Sequence, residues 1–85
     1  MTWIQLKKPP ENLSDFVGAP DYDTPEKSEQ NLRGLIKQGT SNIKAVCFDV
    51  GIINNLEKEI IENGYRVQFV PTIKECFADF YLAKF

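Results

Sequence analysis

Residues Asn42 to Thr72 constrain the chain more than any other stretch, because they read as strand, helix and strand in succession. In NIKAVCFDV, strict alternation puts Ile43, Ala45 and Cys47 on one face and Val46, Phe48 and Val50 on the other. A strand over 43–50 that is apolar on both faces needs cover on both, which places it inside a layered α/β sheet. Asp49 is the polar residue near its end, on the Ile43 face, and Gly51 punctuates it. Asn54 followed by Glu57 has the spacing of a capping box and predicts a helix over 54–63. Ile53, Leu56, Ile60 and Ile61 form its apolar stripe, and Asn63-Gly64 closes it as a left-handed cap would. Residues 65–70 then alternate Tyr65, Val67 and Phe69 against Arg66, Gln68 and Val70, and Pro71 stops the strand. Two strands joined by one helix are expected to be parallel neighbours.

The flanks extend this unit. Trp3, Ile4 and Leu6 predict a short strand over 2–7, placed at a sheet edge because Lys7, Lys8 and two prolines end it. Residues 9–23 carry three prolines and Gly18, with Glu11, Asp15, Asp21 and Asp23 and no basic residue, so they read as an acidic loop. A short helical turn over Leu13 to Val17 is compatible with that reading. Thr24-Pro25-Glu26 is a helix start, and the helix should run over 25–38 with Gly39 just past it. Leu32, Leu35 and Ile36 give it an apolar second half, while EKSEQN should be solvated; close packing against the sheet is one reason for a glycine to stand mid-helix at Gly34. Thr72 with Glu75 predicts a last helix over 73–83, its aromatic face built from Ile73, Cys76, Phe77, Phe80 and Tyr81. A strand over Phe80 to Phe85 is the alternative, since FYLAKF also has β composition. The expected fold class is therefore a small α/β domain. It has a three-stranded sheet with a central parallel pair, an N-terminal edge strand, and three helices on one or both faces.

With 85 residues, the chain is expected to form one domain. Apolar content of 42% and charge content of 26% are those of a globular protein. A net charge of −2 argues against direct nucleic-acid binding and against a membrane-surface binder, which need a basic field. No apolar run approaches the ~20 residues of a membrane span, so the expected compartment is the cytoplasm. Cys47 and Cys76 lie among apolar neighbours and read as two buried thiols, with one disulfide as the alternative.

Histidine is absent, which removes the commonest general base and metal ligand. Two cysteines 29 apart form no zinc ligand set, and no phosphate-binding glycine motif occurs, so no metal and no cofactor are expected. KAVCFDVG resembles the first motif of haloacid-dehalogenase-like phosphatases, which implies Asp49 as a nucleophile; Gly51 stands where that motif has its second aspartate. VCFDVGIINNLEKEIIENGYRVQFVPT is similar to the opening of glutamine amidotransferase domains of carbamoyl-phosphate-synthetase type. Both likenesses belong to Rossmann-like strand–helix–strand units in general, and neither assigns a family. Asp49 is expected to cap backbone amides.

Two surfaces remain as candidates. One is the acidic loop, with Asp15, Phe16, Asp21, Tyr22 and Asp23; the other is the aromatic C-terminal face, with Phe80, Tyr81 and Phe85. Either could bind another protein or a second copy of this chain. The function expected first is a non-catalytic protein that works by protein–protein interaction. The alternative is a small-ligand or nucleotide site at the carboxyl ends of the parallel strands, around Asp49, Gly51, Asn54, Asn55 and Thr72.

Overall fold

The structure is a computed structural model and describes residues 3–20, 23–73 and 75–84. Its elements follow the chain as β1 (Ile4–Gln5), a 3-10 turn (Leu13–Asp15), β2 (Val17–Gly18), α1 (Pro25–Lys37) and β3 (Asn42–Asp49). Then come α2 (Val50–Asn55), α3 (Glu57–Glu62), β4 (Tyr65–Pro71) and β5 (Phe77–Lys84). The sheet has five strands in the order β1-β4-β5-β3-β2, not three. β1 runs parallel to β4 and β2 parallel to β3, while β5 is antiparallel to both its neighbours. The strands β3 and β4 are thus parallel, as their connecting helices require, but they are not adjacent: β5 lies between them.

The largest correction falls on residues 73–83. The described residues of that span form no helix, and 77–84 form the middle strand of the sheet. Phe77, Phe80 and Tyr81 fit a helical spacing, yet Ala78, Phe80 and Leu82 against Phe77, Asp79 and Tyr81 also alternate with period two. The tertiary setting decides. Residues 77–84 pair with β3 along one edge and β4 along the other, and Phe80, Tyr81 and Leu82 are all buried, as consecutive residues of a central strand covered on both faces are. Thr72 caps no helix; its hydroxyl donates to the Phe77 carbonyl (2.9 Å) and closes the turn between β4 and β5.

Local signals held where caps are strong. The Thr24 hydroxyl accepts from the Lys27 amide at 3.3 Å, and Pro25 opens α1. Gly39 and Gly64 end α1 and α3 at φ 77° and 78°, a conformation that a Cβ would strain. The helix after β3 begins earlier than the spacing of Asn54 and Glu57 suggests. Asp49 is its N-cap, so α2 starts at Val50, and a second short helix follows Leu56. Within α1, Ser28 is buried rather than solvated, and a Cβ on Gly34 would meet nothing within 4 Å. Close packing on the sheet is therefore not what places glycine there.

Strict alternation also fails inside β3. Between the pairs Ala45–Phe80 and Phe48–Ala78, β3 has two residues where β5 has one, so Val46 and Cys47 form a β-bulge. Cys47 takes φ 58°, and its amide donates to the Asp79 carboxylate at 2.7 Å. The extra residue switches register, so Phe48, not Cys47, shares a face with Ile43 and Ala45. Cys47 and Cys76 are exposed free thiols, not buried ones.

All three helices lie on one face. Leu32 and Ile36 from α1, and Ile53, Leu56 and Ile60 from the α2–α3 pair, meet Ile43, Ala45, Phe48, Val67, Phe80 and Leu82 in one buried cluster. Fully burying an aliphatic or phenylalanine side chain contributes roughly 1.5–3 kcal/mol, so this cluster is the main source of stability. Trp3 packs edge-on against Phe80 (5.4 Å between centroids) and Phe69 (6.0 Å), tying β1 to the sheet. The Tyr65 hydroxyl donates to the Thr40 carbonyl, joining the loop after α1 to β4. Among the described residues, no helix is long and apolar enough to cross a membrane.

Candidate functional site

Among the described residues, the sheet's other face carries no α-helix. The strand registers align one row of residues across all five strands: Ile4, Gln68, Tyr81, Lys44 and Gly18. Beside this row stand Arg66 and Ala83 on one side, and Val70, Asp79 and Val46 on the other. Ile4 and Val46 are 46% and 48% exposed, large values for aliphatic side chains on a sheet.

One part of the face is covered. Phe16, just before β2, lays its ring edge-on against Tyr81 (5.8 Å between centroids, 89° between planes). Phe16 is 9% exposed and Tyr81 2%, yet neither belongs to the main cluster beneath the helices. They form a separate two-ring contact on the opposite face. Burial, with the nearby Asp79 charge second, raises the Tyr81 phenol above its usual range. Gly18 lies over Lys44, where an added Cβ would stand 3.5 Å from the lysine Cε.

Members of the two surfaces read from the sequence therefore meet: Phe16 from the acidic loop and Tyr81 from the aromatic segment. The other residues of those surfaces are placed differently. Phe80 points into the core at 0% exposure and is closed to a partner. Asp15 and Asp23 are exposed. Asp21, Tyr22 and Phe85 lie outside the described residues.

The rim residues do not converge. The Asp49 carboxylate accepts from the Gly51 amide at 2.7 Å, capping α2. Asn55 is at the far end of that helix and donates to Glu29 of α1 at 3.2 Å. Asn54 is exposed beside it, and Thr72 is engaged in the β4–β5 turn. Arg33 of α1 pairs with Glu29 of its own helix (3.5 Å) and with Glu59 of α3 (3.6 Å), part-exposed pairs worth little in stability. Among the described residues, no three His, Cys, Asp or Glu side chains cluster in a way that could hold a metal ion.

Sequence reasoning missed Ile4, Lys44, Val46 and Gln68 as one surface. The period-two alternation of residues 77–84 was the signal that could have found it, because it assigns Tyr81 to the face away from Phe80. No family model, curated protein or solved structure matches this chain.

Proposed function

We propose that this chain is a non-catalytic protein-binding domain that engages its partner through the helix-free face of the sheet. The observation that carries the reading is the one-sided layering. Helices cover one face, and the other presents to solvent Ile4, at the end of the Tyr81 row, and Val46, beside it. Each square ångström of such apolar surface that a partner covers contributes roughly 25 cal/mol. Lys44 and Arg66 lie on the same face, and the Asp79 carboxylate there is engaged with the Cys47 amide. A partner with an apolar patch rimmed by acids would complement it.

The test is solution mass by size exclusion with light scattering, on protein drawn from its native lysate and then on purified variants. Val46→Glu and Ile4→Glu should dissociate the complex while leaving the circular dichroism spectrum and melting temperature close to wild type. A complex indifferent to both substitutions would remove this face from the function.

A further inference from the structure

The first and second strands lie at opposite edges of the sheet, four inter-strand steps apart, or ~19 Å at ~4.8 Å per step. The chain between them reaches β2 over the helix-free face, as the position of Phe16 on Tyr81 shows. We infer that residues 12–19 are a strap that opens as a unit while the rest of the domain stays folded, and that in its closed form it screens part of the binding face. The second clause rests on the function proposed above.

Four observations carry the inference. The strap pairs with β3 through only two residues, and the Ala19 amide donates to the Lys44 carbonyl at 2.8 Å. Two further backbone bonds lie within the 3-10 turn, from the Asp15 amide to the Asn12 carbonyl and from the Phe16 amide to the Leu13 carbonyl, each 3.0 Å. Among described residues 12–19, Phe16 is the buried side chain, and Val17 next to it is half-exposed. Finally, the Phe16–Tyr81 contact is separate from the main cluster, which the strap meets through the small side chain of Ala19 at its last residue, so lifting the strap leaves the buried members of that cluster packed. Segments with few buried contacts open at free energies well below that of global unfolding. Opening would bare Tyr81 at the centre of the row that joins Ile4 to Lys44, enlarging the apolar face.

Native-state hydrogen exchange on the full chain tests this. The amides of Phe16 and Ala19 should exchange together, and more than about tenfold faster than amides of β4 and β5, through an opening insensitive to denaturant. In Phe16→Ala, the strap amides should lose protection while β3, β4 and β5 keep theirs. The Tyr81 phenol should then titrate nearer its ordinary range, assigned by its loss in Phe16→Ala/Tyr81→Phe. Strap and core amides exchanging at one rate, or all protection collapsing together in Phe16→Ala, would overturn the inference. The two readings fail separately. Independent strap opening with a partner indifferent to Val46→Glu retains the strap and removes the site. One cooperative transition with a partner lost in Val46→Glu removes the strap and retains the site.

Discussion

Replacing Cys47 by glycine should stabilise the protein, although it shortens a strand residue to the type least suited to strands. Cys47 sits in the left-handed region at φ 58°, inside the bulge that brings Phe48 into the core. A side chain held there costs roughly 1–2 kcal/mol. Glycine removes that strain but loses more freedom on folding, roughly 0.5–1 kcal/mol. The thiol is exposed, so no packing is given up. The difference lies between about 0 and 1.5 kcal/mol, and its mid-range gain of about 0.75 kcal/mol corresponds to roughly 3–6 °C in melting temperature for a domain of this size. The assay is thermal unfolding by circular dichroism, with a urea titration to confirm an unchanged slope. Cys47→Val supplies the opposite sign, because a β-branched residue is worse at positive φ. Cys47→Ala should be close to neutral, since it keeps the Cβ that creates the strain. A lower melting temperature for Cys47→Gly, or a higher one for Cys47→Val, would refute the claim that the bulge stores backbone strain.

The remaining expectations address other parts of the fold. Asp79→Ala removes the carboxylate that accepts from the Cys47 amide, and should cost about 1 kcal/mol in the same unfolding assay, the bond being partly exposed. Gly34→Ala should gain about 1 kcal/mol by helix propensity, because the new methyl meets nothing within 4 Å; a loss would show a contact that the backbone geometry hides. Burial raises the phenols of Tyr65 and Tyr81 above the ordinary value of 10.0 for a tyrosine. Their contribution is complete below pH 10 and declines as pH climbs through the higher folded values, so melting temperature should fall in that alkaline range and fall less steeply in Tyr81→Phe. Cys47 and Cys76 should remain two free thiols after mild oxidation of dilute protein, measured by alkylation and mass. Asp49 pairs with Phe77 in antiparallel register, so Cys47 lies two residues back from that pair and Cys76 one residue beyond it in the opposite direction, and ~3.3 Å per residue puts the thiol-bearing backbones beyond the ~7 Å that a disulfide tolerates.

What was legible in the chain was local. Thr24-Pro25, Gly39 and Gly64 fix the ends of α1 and α3 through hydrogen bonds within a few residues, so their types announce them. β3 and β4 were legible because apolar alternation is itself a local pattern. What failed depends on partners far away in sequence. Residues 73–83 satisfy two periods at once, and only pairing with β3 and β4 selects the strand; Ile73, the first member of the supposed helical stripe, is fully exposed. The bulge at Val46–Cys47 has no local signature, because its cause is Asp79, 32 positions on from Cys47. The same holds for the candidate surface. Tyr81 reads as one aromatic among several until the register sets it apart from Phe80, and Phe16 reads as a loop residue until the strap carries it there.

The strand order has a consequence for how the protein is made. β5 follows every other strand in the chain, yet it fills the middle of the sheet. Until Phe77–Lys84 have left the ribosome, β3 and β4 face each other across a strand-wide gap of ~10 Å, with their inner backbone groups open to any passing chain. Helix α1 can form during synthesis, but the sheet must wait, and Ile43 must then find Leu82 across most of the intervening sequence. A nascent chain stalled before Phe77 is accordingly the species most exposed to aggregation and most in need of a chaperone.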